Sequence, residues 1–257
     1  MAGDAGRVDL AGHVALVTGG SRGIGAATAR ILAAHGASVG VNYRADQAGA
    51  DSVVRAIETG GGRAMGLQAD VSKREEVERM VEQLLATFGR IDILVNNAGA
   101  PAPLRGLLET DWSAFQEAID VGVRGAFECM KAVAGPMVSR GSGHIINVAT
   151  VYAVGSPPPR LAPYVTAKHA LVGLSKAAAV ELGPHGITVN LVSPGLTETE
   201  FTARVPQKLK EIVAGQTPLR RNATPDDVAR VILFLAGGHA AFLTGVNVLV
   251  CGGQVML

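Results

Sequence analysis

From residue 14 onward, apolar runs of strand length alternate with helix-length amphipathic segments, and this cadence restricts the chain more than any other feature. The expected strands are Val14–Val17, Ala37–Asn42, Ala64–Gln68, Ile91–Asn96, His144–Val148, Thr188–Val192 and Val246–Val250. Helices are expected near 24–35, 46–59, 74–88, 111–139, 162–182, 204–214 and 225–236. Short apolar runs suit strands buried on both faces. Strict β/α alternation then implies right-handed crossovers and a doubly wound, seven-stranded parallel sheet with helices on both faces. The 257 residues fit one such domain, expected over 11–257 behind a flexible tail at 1–10. No repeat or linker divides the chain.

Boundary signals agree. Ser72-Lys-Arg-Glu75 has the pattern of a capping box. Thr224-Pro225 offers an N-cap followed by proline at the first helical position, with Asp226 and Asp227 next. Gly36 and Gly89 stand where C-caps are expected.

Composition excludes several functions. The net charge is +1, without the clustered Lys and Arg of a nucleic-acid surface. With 48% apolar and 18% charged residues, a disordered chain is excluded. No run approaches the ~20 apolar residues of a membrane span, and no secretory signal is visible. Cys129 and Cys251 lack metal-ligand spacing and read as buried thiols, which suits a cytoplasmic protein. No metal site is expected.

The segment Thr18-Gly19-Gly20-Ser21-Arg22-Gly23-Ile24-Gly25 lies between the first strand and an Ala-rich helix. Glycines there let the backbone turn tightly against a pyrophosphate, which the helix amides face. This is the context a Rossmann dinucleotide loop requires. The second strand ends in the expected cofactor contacts Asn42, Tyr43 and Arg44, without the carboxylate that would bind a ribose 2′-hydroxyl. Arg44 and Arg22, with Ser21, can clamp a 2′-phosphate, so NADP is favoured over NAD.

Four motifs together resemble the short-chain dehydrogenase/reductase family: Thr18–Gly25, Asn96-Asn97-Ala98-Gly99, Tyr164-Val-Thr-Ala-Lys168 and Pro194-Gly195. The resemblance runs from Val14 to Gly253 and is strongest to the 3-oxoacyl-carrier-protein reductases and related sugar or ketone reductases. Tyr164 and Lys168 stand at i and i+4 on one helix face. A nearby ammonium is expected to lower the phenol's pKa toward the useful range, so Tyr164 protonates the alkoxide that forms as hydride arrives. The resemblance implies that Lys168 also holds the nicotinamide ribose. Thr150 takes the place of the family's serine, and its hydroxyl can donate to the substrate oxygen. Thr150 is one residue farther from Tyr164 than is commonest, placing an insertion in Ser156-Pro-Pro-Pro159.

Gly122 replaces the family's asparagine, which supports a helix kink and a water linking the lysine to solvent. Glycine tolerates the kink, and its carbonyl can bind a water, but it supplies no amide. That departure sustains a second reading, a cofactor-binding scaffold or nucleotide sensor with little catalysis. The resemblance further implies adenine contact at Asp70 and Val71, and a fourth-strand wall of Asn96, Asn97, Ala98 and Gly99. It implies a nicotinamide carboxamide site at Pro194, Gly195 and Thr199. A lid is expected from 195–216, with Phe201, Val205, Leu209 and Ile212 offering an apolar face that equally suits a core-packing helix. Tyr152, Pro157–Pro159 and Leu161 can border the pocket. The substrate class is a small carbonyl compound, free or carrier-bound. A homotetramer is implied, paired through 111–139 and 162–182 and again through Phe242–Val250. Cys251 stands where relatives often carry an acid; no physical reason for that change is visible.

Overall fold

In the computed structural model, which describes residues 8–100 and 104–256, seven strands form one parallel sheet. They are β1 (Val14–Val17), β2 (Ser38–Tyr43), β3 (Arg63–Gln68), β4 (Ile93–Asn96), β5 (Gly143–Val148), β6 (Ile187–Pro194) and β7 (Asn247–Val250). The strand order is β3-β2-β1-β4-β5-β6-β7. The order reverses between β1 and β4, so a crevice opens there beyond the carboxyl ends of the strands. β1, β4 and β6 are buried along their whole length, whereas the edge strands β3 and β7 are partly exposed. The expectation of strands buried on both faces therefore fails at the two edges, where a strand has only one neighbour.

The helices are α1 (Gly23–Ala34), α2 (Gln47–Thr59), α3 (Arg74–Phe88), α4 (Trp112–Ile119), α5 (Gly125–Arg140), α6 (Ala162–Leu182), α7 (Gln207–Gln216) and α8 (Pro225–Ala236). One apolar layer joins the sheet to α1, α2 and α8 through residues such as Leu32, Val53 and Ile232. The other joins it to α3, α5 and α6 through Leu84, Val133 and Ala179. The helix expected over 111–139 divides into α4 and α5 around a π-helical turn, Asp120–Arg124. Gly122 sits at its centre, where an extra residue is fed into the helical ladder.

Local chemistry sets most ends as expected. Gly89 closes α3 in the left-handed region at φ 78°, and Gly36, at φ +98°, follows the last residue of α1's cap. The capping box at Ser72 does not form. Asp70 captures the Ser72 hydroxyl at 2.7 Å, and Glu76 rather than Glu75 accepts from the Asp70 amide at 2.7 Å. The nearer carboxylate wins the hydroxyl, and α3 starts at Arg74 with no side-chain cap. Most of the expected tail, residues 1–7, lies outside the described residues. Leu10, however, is 1% exposed and its amide donates to His35 O at 2.8 Å, so packing begins before residue 11.

Thr224 does cap α8. Its hydroxyl accepts from Asp227 N at 3.3 Å, the Asp227 carboxylate accepts from Thr224 N at 2.8 Å, and Arg221 pairs with Asp227 at 2.6 Å. Thr224→Ala is expected to cost about 1 kcal/mol in urea unfolding; an unchanged midpoint would remove the cap from the account.

Candidate active site

Sheet register builds the glycine loop. Asn97 follows β4, and its Nδ2 donates to Thr18 O at 2.9 Å and Gly19 O at 3.0 Å. The Thr18 hydroxyl accepts from the Asn97 and Ala98 amides at 3.0 and 3.1 Å. From β2, Asn42 Oδ1 accepts from Gly19 N at 3.2 Å, while its Nδ2 donates to Leu67 O and Ala69 O. Two glycines are required. Gly19 sits at φ +60°, which side chains disfavour. A Cβ on Gly25 would strike the Gly19 carbonyl and come within 2.6 Å of Asn97 Nδ2. Helix α1 begins with no side-chain cap at Arg22 and no acidic residue in its first turn, so its leading amides are free for an anion. Uncapped amides behind a glycine cradle suit a dinucleotide's pyrophosphate. Ser21 is half-buried beside the exposed Arg22, and Ile24 packs its side chain on the core.

The end of β2 divides its residues between two tasks. Asn42 and Tyr43 are buried, Asn42 fully engaged with backbone and Tyr43 part of the core. Only Arg44 reaches out, with 57% of its side chain exposed and Nη1 at 3.9 Å from Asp70 Oδ2. Burial pushes the Asp70 carboxyl up, but the Ser72 bonds and Arg44 outweigh it and hold it below the usual range. Val71 turns its side chain inward against Gly125. Any contact that Asn42, Tyr43 or Val71 makes with a cofactor therefore falls to backbone.

At the carboxyl end of β5, the structure brings Thr150, Tyr164 and Lys168 together. The Thr150 hydroxyl lies near the Tyr164 phenol and pulls its pKa down. It also accepts from Tyr152 N at 3.4 Å, an interaction that anchors the short turn Val151–Ala153. Lys168 Nζ donates to Val148 O at 2.5 Å and lies 6.0 Å from the Tyr164 ring centroid. Lys168 is 6% exposed, and burial pushes its ammonium down to about 8. The electrostatics of the phenol reverse the sequence expectation. Burial raises the Tyr164 pKa, and the nearby Thr150 hydroxyl recovers only part of the rise. Desolvation exceeds the influence of an ammonium lying over the ring face rather than beside the oxygen.

At Gly122 the chain leaves a small void. A cavity of about 20 Å³ is lined by Gly99, Ala100, Ala118, Gly122, Tyr164, Ala167 and Lys168. That is room for one water. A Cβ added at Gly122 would meet Ala167 at 3.7 Å, an ordinary contact.

Pro194 ends β6, and Gly195 N donates to Val250 O at 3.0 Å. Gly195 packs on Cys251: a Cβ added there would lie 3.1 Å from the Cys251 Cβ. Thr199 caps the turn Glu200–Thr202 and rests on the glycine loop, its Cγ2 3.2 Å from where a Gly23 Cβ would stand. In the same turn Phe201 faces Tyr164, with ring centroids 6.0 Å apart and planes tilted by 39°. Leu209 and Ile212 on α7 are each 46% exposed, so this helix is not packed as a core element. Both cysteines are free and buried, and burial pushes the Cys129 thiol up to about 12, which makes it inert. Among the described residues no His, Cys, Asp or Glu cluster could hold a metal, and no helix is long and apolar enough to cross a membrane. Sequence reasoning missed the supporting role of Asn42 and the Val148 carbonyl that anchors Lys168; both depend on strand register.

A glycine cradle at a sheet's switch point, with a phenol and a buried amine at the neighbouring strand end, defines a nicotinamide-dinucleotide oxidoreductase. The comparisons agree. Residues 19–254 match the family profile described as Enoyl-(Acyl carrier protein) reductase. The 3-oxoacyl-[acyl-carrier-protein] reductase of Synechocystis sp. is 43% identical over 96% of this chain and 98% of its own. The enzyme FabG of Staphylococcus epidermidis, of the same name, is 39% identical over 94% and 98%. The Thauera aromatica (2S)-[(R)-hydroxy(phenyl)methyl]succinyl-CoA dehydrogenase subunit BbsD is 40% identical over 94% and 96%. A short-chain type dehydrogenase/reductase from Mycobacterium marinum superposes with a TM-score of 0.91 at 35% identity, covering 97% of this chain and 98% of the other. The chain belongs to the short-chain dehydrogenase/reductase family, and it is an NAD(P)-dependent oxidoreductase of that family.

Proposed function

We propose that the protein is an NADPH-dependent ketoreductase acting on 3-oxoacyl thioesters, free or carrier-bound. The observation that carries this reading is the buried Lys168, held on the Val148 carbonyl and 6.0 Å from the Tyr164 ring, with the Thr150 hydroxyl near the phenol at the mouth of the dinucleotide crevice. Bound NADPH supplies the hydride; the rest falls to the chain. The Tyr164 and Thr150 hydroxyls hold the carbonyl oxygen, and the Tyr164 proton passes to it as it becomes an alkoxide. Lys168 holds the ribose hydroxyls and stabilises the phenolate left behind. The cavity at Gly122 has room for one water, which would return the proton in place of an amide. The loop of Gly19, Ser21, Arg22, Gly23, Ile24 and Gly25 holds the pyrophosphate. Asp70, Val71, Asn97, Ala98 and Gly99 wall the adenosine half, and Pro194, Gly195 and Thr199 the nicotinamide half. Phe201 and Tyr152 give the substrate an apolar border, in keeping with the acyl substrates named for the relatives. A scaffold role, raised by Gly122, gives no reason to keep a costly buried lysine beside a phenol.

NADPH oxidation tests this reading with acetoacetyl-CoA, crotonyl-CoA and a free sugar. Turnover is expected with the first alone. Preference for crotonyl-CoA would make the protein an enoyl reductase, and preference for the sugar would overturn the acyl assignment. Replacing Arg22 and Arg44 together by alanine is expected to lower kcat/KM for NADPH ~10-fold or more while leaving NADH little changed. An equal loss for both cofactors would contradict the 2′-phosphate clamp. The exposed Trp112, Phe127 and Val180 on α4, α5 and α6, with Phe234 and Phe242 on another face, fit the proposed homotetramer; light scattering at the monomer mass would exclude it.

A further inference from the structure

A buried chain of polar side chains crosses the core just beneath the catalytic residues. Asn96 Nδ2, at the end of β4, donates to Asn147 Oδ1 on β5 at 2.8 Å. Asn147 Nδ2 donates to Ser175 Oγ on α6 at 2.8 Å, and Ser175 Oγ donates to Leu171 O at 2.6 Å. Asn96 is 5% exposed, and Asn147 and Ser175 are 0% exposed. Each is an awkward choice for its place. Asn147 interrupts the apolar strand Ile145-Ile146-Asn147-Val148 at the middle of the sheet, where an amide is expensive to bury. Ser175 sits inside a helix, bonded back to the preceding turn, an arrangement that weakens helices slightly. Apolar residues at both positions would pack without those costs, so the network is better suited to specifying one alignment than to adding stability.

What it aligns is visible in the next residues. Asn147 directly precedes Val148, whose carbonyl holds Lys168 Nζ at 2.5 Å. Lys168, Leu171 and Ser175 are buried on one face of α6. Asn96 directly precedes Asn97, which grips the glycine loop. We propose that Asn147 is a positioning residue: through Ser175 it fixes the axial register of α6 on β5, and thereby sets Lys168 on the Val148 carbonyl and Tyr164 on Thr150. The functional role rests on the ketoreductase reading, whereas the alignment itself can be read without turnover.

Ser175→Ala removes the acceptor with almost no change of volume, and Asn147→Ala removes the hub. Two readouts decide. The first is the pH dependence of Lys168 acetylation by acetic anhydride, followed by peptide mass spectrometry, which needs neither substrate nor cofactor. A loosened Lys168 gains water, so the midpoint is expected to rise from near 8 by about one pH unit in Ser175→Ala. The second is kcat and KM with NADPH and acetoacetyl-CoA: kcat is expected to fall ~10-fold or more with both KM values within about twofold. The double variant is expected to lose no more than Asn147→Ala alone, because both act on one network. A Ser175→Ala protein with a lower melting temperature but an unmoved labelling midpoint would overturn the proposal, leaving the network purely structural. A wild-type protein without turnover removes the ketoreductase reading, while the labelling midpoint still decides the alignment.

Discussion

Tyr164→Phe is expected to lower kcat by ~10³-fold or more and to leave folding and NADPH affinity within a factor of about two. The substitution deletes one oxygen at a position already surrounded by apolar contacts, including Phe201. What is lost is the proton donor, and a positioned acid contributes ~10²–10⁴-fold. Burial raises the Tyr164 pKa, so the phenol keeps its proton through neutral pH. The reductive direction therefore starts from the correct form without help. Oxidation needs the phenolate and so is expected to gain rate with rising pH in wild type. Steady-state rates with acetoacetyl-CoA, alongside a fluorescence titration of NADPH, check this. A variant retaining more than about a tenth of wild-type kcat would remove Tyr164 from the chemistry.

The second large effect has two signs. Lys168→Met is expected to lose ~10²-fold or more in turnover and yet unfold later than wild type at neutral pH. Lys168 is 6% exposed, and its folded value of about 8 lies well below the ordinary 10.5. Between those two values the unfolded chain binds the proton that the folded chain gives up, so stability rises with pH across that window. Below pH 8 the full cost of burying the charge is present, about 3 kcal/mol. Methionine removes that cost but leaves the Val148 carbonyl without its donor, which offsets about 1–2 kcal/mol. The net expectation at pH 7 is a gain of about 1–2 kcal/mol, shrinking toward pH 10 and reversing once the wild-type lysine is neutral in both states. Urea midpoints at pH 7 and pH 10 measure it. A destabilised variant at pH 7 would mean that Lys168 is held for structure, not for chemistry.

Both effects concern residues that were legible from sequence, because their relation is local. Tyr164 and Lys168 share a helix face at i and i+4, and the glycine loop is contiguous between a strand and a helix. The β/α alternation is likewise a short-range pattern, and it places all seven strands and most helix ends within a few residues of those observed. What escaped is what register decides. Asn42 is expected as a cofactor contact, yet its side chain reaches across two strand neighbours to hold the loop from behind. The Asn96–Asn147–Ser175 chain joins residues 51 and 28 positions apart, and no spacing rule reveals it. The Tyr164 pKa moves opposite to the sequence expectation because sequence shows a neighbouring charge but not the desolvation that competes with it. At Ser72, a capping pattern yielded to Asp70, two residues upstream, because side-chain geometry chose the nearer acceptor.

The phenol of Tyr164, the hydroxyl of Thr150 and the amine of Lys168 are expected to converge on the reactive end of a bound dinucleotide. A crystal structure of the protein with NADP tests it most directly. The expected result is nicotinamide density against Tyr164, its ribose hydroxyls bonded to Lys168, and the pyrophosphate on the amides that open α1. A dinucleotide bound elsewhere, or one whose nicotinamide turns away from Tyr164, would contradict it.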